Sequence, residues 1–267
     1  AQVFDIIVEI LTEIYLRSPL APPRAEPPVW FSALCACIES RSSLVAAVAV
    51  RGFLALVDIP VAAAAANSYA EGGFAGLCRC VALRLWDMLS RSNSAVHYDA
   101  VSCFMRLELI DPPSVRGVMG EQMLRGSIAA RVDGYQRFSL LWKLAGEAKG
   151  DGLQTRPFTS ALFTMLDTLQ HEHPDIRLIG RSWLADYADK AERILDPLLL
   201  VVLDPTTVRR EGCIYAQRYD TARVLSALRV LRVLFDGESG VFAARALQNG
   251  NLTGFCHGYI LKSQVLP

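Results

Sequence analysis

Apolar residues recur at helical spacing along nearly the whole chain, and the strict alternation of a strand is almost absent. In YDTARVLSALRVLRVLF, Tyr219–Phe235, the residues Val224, Leu225, Leu228, Leu231 and Phe235 form one apolar stripe at about 100° per residue. Val230, Val233 and Leu234 fall on other sides, so polar positions are confined to narrow wedges around the arginines. A surface helix of a small domain shows a single apolar face, whereas an inner helix of a stack meets neighbours all round. The same periodicity predicts helices at Val3–Arg17, Val29–Ser40, Ser43–Val57, Gly76–Ser90, Ala95–Ile110 and Val115–Arg131. It continues through Gly134–Ala148, Phe158–Gln170, Asp175–Ala188, Pro197–Leu203 and Tyr219–Phe235, with a last helix beginning near Gly240 and including FAARALQ.

Helix breakers separate these segments: SPLAPPRAEPP, the Gly72-Gly73 pair, Asp111-Pro112-Pro113, GDG at Gly150–Gly152, and His173-Pro174-Asp175. The tripeptide LDP occurs twice, at Leu195–Pro197 and Leu203–Pro205. Asp accepts hydrogen bonds from free N–H groups at a helix start, and Pro suits the first turn, so Asp196 and Asp204 read as caps. Between them PLLLVVL is apolar enough to be buried and too short to span a bilayer. The stretch Leu44–Ala66 is the most hydrophobic, but Arg51, Asp58 and Pro60 interrupt it. It reads as a core helix, a turn and an alanine-rich segment, well short of the ~20 apolar residues of a spanning helix.

PDIRLIGRSWLADY, from Pro174 to Tyr187, has a HEAT-like order: Pro-Asp first, Arg three residues after Pro174, then apolar positions ending in Trp183-Leu184. Ala95–Ile110 has comparable spacing with Asp99 early, and Ser42–Val57 follows a similar plan without an opening Asp. The period varies, so the expected fold is all-α, an α-solenoid of degenerate HEAT- or armadillo-like repeats. A globular all-helical bundle is the structural alternative. Residues 1–267 read as one helical-repeat segment of a larger protein, with sub-boundaries possible in composition near 111–114 or 149–156.

Hydrophobic residues make up 52% and charged residues 20% of the chain, enough for a core and unlike a disordered segment. Lys plus Arg and Asp plus Glu number 27 each, which removes a global basic field for nucleic acid. Seven cysteines form no regular framework and read as free, mostly buried thiols of a reducing compartment. No signal peptide opens the sequence, and the absence of an initiator Met makes the chain look cut from something longer.

Candidate chemistry is sparse. Cys35/Cys37 and Cys78/Cys80 are C-x-C pairs inside expected helices, where i and i+2 point to opposite sides, so they read as small fillers and not as zinc ligands. His171-Glu172-His173 reads as a solvated loop, and His97 and His257 are solitary. Asp87, Glu108, Asp167 and Asp186 are separated carboxylates at helix ends or on solvent faces, suited to capping or ion pairing. Asn251-Leu252-Thr253 matches a glycosylation sequon that matters only in a secreted protein. No Walker loop, G-x-G-x-x-G, G-x-S-x-G or H-E-x-x-H occurs, and neither catalysis nor a metal or other cofactor is expected. Trp30, Trp86, Trp142 and Trp183 each lie in an expected helix as core residues. Arg209-Arg210, with Arg218 and Arg223 downstream, is the best local basic cluster and the candidate contact for an acidic partner or acidic lipid.

FSLLWKLAGE (Phe138–Glu147), FTSALFTMLDTL (Phe158–Leu169), RSWL with RILDPLLLVVLDPTT (Arg181–Thr207), and YDTARVLSALRVLRVLF together resemble the Dopey family. The resemblance implies a very large cytosolic protein, peripheral on Golgi, trans-Golgi network and endosome membranes, and a helical-repeat scaffold in endosome–Golgi traffic. It implies as partners a Mon-two-type helical-repeat protein, a phospholipid flippase of the P4-ATPase class, kinesin light chain and phosphoinositide lipid. It carries no catalytic residues. A helical regulatory subunit of a membrane channel complex is the alternative reading.

Overall fold

The computed structural model describes residues 27, 29–57, 67–147, 158–187, 194–195, 197–199 and 221–235; the side chains of 221–224 and 233–235 fall outside that description. Among these residues there are helices and no strands. Packing divides the chain into two units, Ala1–Pro157 and Phe158–Pro267. The first unit contains α1 (Val29–Ile38), α2 (Ser43–Leu56), α3 (Gly73–Met88), a 3-10 turn (Arg91–Val96), α4 (His97–Ile110), α5 (Pro112–Met123) and α6 (Ile128–Glu147). The second contains α7 (Thr159–Asp167), a 3-10 turn (Thr168–Gln170), α8 (Pro174–Asp186) and α9 (Thr221–Phe235). The expected helices at Val3–Arg17 and near Gly240, the second LDP, and the SPLAPPRAEPP and GDG breakers lie outside the described residues, Glu26-adjacent Pro27 excepted. Of the first LDP region, Ile194, Leu195 and Leu198 are buried, as the apolar reading of this segment requires.

The first unit is a two-layer helical stack. Helix α3 packs against α4 and α5, α2 packs against α1 and α4, and α6 packs against α4 and α5. The Ser114 hydroxyl donates to the Ala75 carbonyl at 3.2 Å, and Arg79 pairs with Glu121 at 2.5 Å, so α3 and α5 run the same way side by side. Ser43 donates to Asn93 at 2.7 Å and Arg51 lies 3.8 Å from Asp99, which sets α2 and α4 in parallel in the other layer. The alternate helices α3 and α5, and likewise α2 and α4, are thus parallel neighbours, as in an α-solenoid. Each helix therefore buries more than one face. On α3, Leu77, Cys78, Val81, Ala82, Leu85, Trp86 and Met88 are all buried. Trp86 meets Phe104 edge-on at 6.3 Å, and Phe138 meets Trp142 at 5.8 Å. Each large apolar side chain buried in this way contributes about 1.5–3 kcal/mol. Trp86, Trp142 and Trp183 are core residues, as expected, while Trp30 is half-buried.

Local chemistry explains the helix ends. Ser42 caps α2 by accepting from the Val45 N–H at 3.5 Å. Gly72 and Gly73 have φ of 73° and 66°, a left-handed turn that admits the chain into α3. Asp111 ends α4 and precedes Pro112-Pro113 at the start of α5, which places a sharp corner between two helices.

Two expectations fail. The helix expected over Val115–Arg131 ends at Met123, and the break falls at 124–127 and not before Gly134. The Ser127 hydroxyl accepts from the Ala130 N–H at 3.2 Å and starts α6 there. Gly134 lies inside α6, where the backbones of α5 and α6 touch: an added Cβ would come within 2.7 Å of the Gln122 carbonyl oxygen. The glycine that reads as punctuation is a contact point. On α9, the contact with neighbours all round that its pattern predicts is not found among the described side chains. Ala227 and Val230 are buried, whereas Leu225 and Leu228 remain 46% and 44% exposed. Ser226 donates to Asp167 at 2.6 Å and fixes the roll of α9 against α7, which turns Ala227 and Val230 inward.

Gly134→Ala is expected to destabilise the chain by about 1–3 kcal/mol, because the added methyl meets backbone that cannot swing away. Gly126→Ala, where a methyl meets nothing within 4 Å, should shift stability by less than about 0.5 kcal/mol. Urea unfolding followed by circular dichroism measures both.

Candidate functional site

Arg209, Arg210 and Arg218 lie outside the described residues. Arg223 is on the backbone of α9, and its side chain lies outside the description as well. The candidate surface must therefore be sought among the side chains of α1–α8.

Of the described cysteines, Cys78 and Cys103 are buried as packing residues, whereas Cys35, Cys37 and Cys80 are not. Cys78 is buried and Cys80 exposed, on opposite sides of α3, while Cys35 and Cys37 are partly exposed on α1. Burial pushes the Cys78 thiol up to about 12, reinforced by the Asp111 carboxylate it hydrogen-bonds. Burial also lifts Cys103 to about 11, and raises Cys35 with smaller contributions from Glu39 and Cys80. Thiols held protonated in this way are poor nucleophiles and poor metal ligands at neutral pH. In the His171–His173 loop, the His173 N–H donates to His171 Nδ1 at 3.0 Å. The Arg177 guanidinium donates back to the carbonyls of His171 and Glu172 at 2.7 and 2.6 Å. The arginine three residues into the HEAT-like segment thus clamps the turn before its own helix. Among the described residues no group of three or more His, Cys, Asp and Glu side chains is arranged to hold a metal.

Most of the described carboxylates of the first unit tie helices together. Arg137 of α6 donates to the Trp86 carbonyl at 3.0 Å and to Asp87 at 3.1 Å, and its Nε lies 2.8 Å from Asp133. A guanidinium at the C-terminal end of α3 meets the negative end of the helix and its free carbonyls together. At the far end of α6, Tyr98 of α4 reaches Glu147 at 3.5 Å. Arg84 donates to the Ser40 carbonyl in the α1–α2 turn. The ion-pairing role expected for Asp87 is present.

Glu108 departs from its expected solvent face. It is 5% exposed, and its Oε1 accepts from Arg116 Nε at 3.1 Å across the α4–α5 corner. Burial pushes its carboxyl from 4.5 up to about 7; Arg116 opposes that rise and Asp111 adds to it. Beside it, Ser114 donates to Asp111 at 2.6 Å, and Asp111 also takes the Cys78 thiol. The sequence carried a signal for this burial: Val101, Phe104 and Glu108 lie at i, i+3 and i+7, so the acid sits on the apolar face of α4.

Two of the apolar features that face solvent lie on α1 to α4. A cleft lined by Trp30, Phe31, Leu34, Phe53, Leu56, Val57 and Phe74 opens between α1, α2 and the start of α3, with a cavity volume of about 10 Å³. That is below the ~300–1,000 Å³ of typical small-molecule sites, and its lining offers no acid, base or nucleophile. Leu44 and Val45 on the first turn of α2 and Tyr98 on the first turn of α4 are exposed, at the same end of one layer. Such large apolar side chains on parallel neighbours fit protein contact better than catalysis. No helix among the described residues is long and apolar enough to cross a membrane.

Comparison with known proteins adds the family. The family described as DOP1B-like, TPR repeats, matches residues 76–193, from the first turn of α3 to beyond α8. Protein DOP1B of Mus musculus is 30% identical over 135 residues, 48% of this chain and 6% of the relative. Protein DOP1B of Xenopus laevis is 29% identical over 135 residues, with the same coverage of 48% and 6%. The aligned region thus spans about 6% of the length of these curated relatives. No solved structure matches the chain. The described helices between 76 and 187 coincide with these matches, and residues 76–193 are similar to the helical repeats of the Dopey family.

Proposed function

We propose that this chain is part of a non-catalytic helical-repeat scaffold that holds protein partners during membrane traffic between endosomes and the Golgi. The observation that carries the reading is the Dopey-family match laid over a stack of paired helices. Stacked repeats generate extended surfaces instead of enclosed pockets, and such surfaces recognise other proteins. The charged groups of the first unit support the same reading, since Arg79, Arg116 and Arg137 are engaged in holding helices to one another. The exposed Leu44, Val45 and Tyr98 offer apolar anchors of the kind that dominate protein interfaces.

The partners that fit this role are a Mon-two-type helical-repeat protein and a P4-ATPase flippase, with kinesin light chain as a motor link. The working location is the cytosolic face of Golgi, trans-Golgi network and endosome membranes. Arg209, Arg210, Arg218 and Arg223 are the residues proposed to meet acidic phosphoinositide headgroups there.

Purified chain incubated with a Mon-two-type protein is expected to form a complex that co-elutes on size exclusion. Leu44→Ser with Tyr98→Ser should weaken that complex at least tenfold without changing the circular dichroism spectrum. Failure of the unmodified chain to bind either that protein or a flippase would argue against the scaffold role of this segment. In a separate assay, sedimentation with vesicles containing phosphoinositide should capture the chain. Replacing the four arginines by Ser should abolish capture, since each contributes about 1 kcal/mol near an anionic surface.

A further inference from the structure

Among the described residues Glu108 is the buried acidic side chain, and its surroundings are unusual for a carboxylate. Oε1 has one hydrogen bond, from Arg116, and Oε2 is shielded from solvent without a hydrogen-bond partner. Arg116 is itself 38% exposed, so much of its charge is spent on water. A carboxylate held in this way loses its hydration and recovers only part of it from one arginine. A proton removes that cost while the helices stay packed. When α4 and α5 separate locally, water reaches the carboxylate and the cost disappears.

We infer that the packing of α4 against α5 is coupled to proton uptake by Glu108, so that rising pH favours local opening of this corner of the stack.

The groups facing Glu108 support a single titrating centre. Helix α5 contributes the guanidinium of Arg116. The corner contributes Asp111, already bonded to Ser114 and to the thiol of Cys78 from α3. That thiol stays protonated through neutrality, since burial holds it at about 12. Helix α2 brings Arg51 to Asp99, and α6 brings Glu147 to Tyr98. Both of those contacts lie on the first turn of α4, about 13 Å along the helix axis from Glu108.

The sign follows from the direction of the shift. Burial raises the carboxyl from 4.5 to about 7, so the packed corner binds more protons than the opened one between those values. The stabilisation is fully present below about pH 4.5 and is lost as pH rises through about 7. The equilibrium constant for local opening should therefore rise about tenfold between pH 6 and pH 8.

Hydrogen exchange of the amides from 104 to 118, measured on the full chain at pH 6, 7 and 8 and corrected for intrinsic rates, reads that constant. The expected result is a tenfold rise in the unmodified chain and a flat profile in Glu108→Gln. A flat profile in the unmodified chain overturns the inference, and so does an equal rise in Glu108→Gln. If Glu108→Gln does not fold, carbon NMR of the labelled Glu108 carboxyl in the unmodified chain decides. A midpoint near 7 supports the coupling, and a midpoint below about 5.5 excludes it.

Discussion

With α4, which packs against α2, α3, α5 and α6, helix α3 is an element on which the first unit depends. It lies between α4 and α5, and its buried set from Leu77 to Met88 covers a wide arc of its surface. Helix α2 also leans on it. A helix buried on one side can be lost while the rest survives, but a helix shared by three neighbours cannot. Apolar burial is nearly proportional to the area removed from water, so the arc on α3 binds the layers together. The polar ties then set the register: Arg79 with Glu121 along one layer, and Arg137 on the C-terminal end of α3. Those ties contribute less energy than the burial, yet they decide which turn of one helix lies beside which turn of the next.

Much of this was legible in the sequence. The all-helical class, the α2, α4, α7 and α8 segments and the core roles of Trp86, Trp142 and Trp183 follow from apolar period and breaker chemistry. The errors share one cause. Gly134 reads as a helix end because glycine is the weakest common helix former, but the tertiary contact with Gln122 needs the missing side chain there. Helix α9 reads as meeting neighbours all round because Val230, Val233 and Leu234 lie off the stripe of Leu225 and Leu228. The bond from Ser226 to Asp167 nonetheless turns the face of Ala227 and Val230 inward. Periodicity within one helix cannot report which of its faces a distant helix will choose. Glu108 shows the converse: its place on the apolar face of α4 was visible, while its arginine came from the next helix.

The candidate site was the less legible part. The arginine cluster chosen from composition includes Arg209, Arg210 and Arg218, which lie outside the described residues, so the surface read from structure is a different one. Exposure of Leu44, Val45 and Tyr98 depends on the parallel alignment of α2 and α4, which joins positions more than 50 residues apart. No local pattern encodes that. The same stacking accounts for the family relation: a repeat protein can diverge widely while each helix keeps enough buried surface to hold its neighbours.

If α3 is a shared element, its loss must cost the whole first unit. Native-state hydrogen exchange across α1 to α6 measures this directly by giving an opening free energy for each helix. The account predicts that the amides of α3 exchange in the slowest class, together with those facing it on α4 and α5. An α3 that opens earlier than α4 and α5, while those two stay protected, would contradict it.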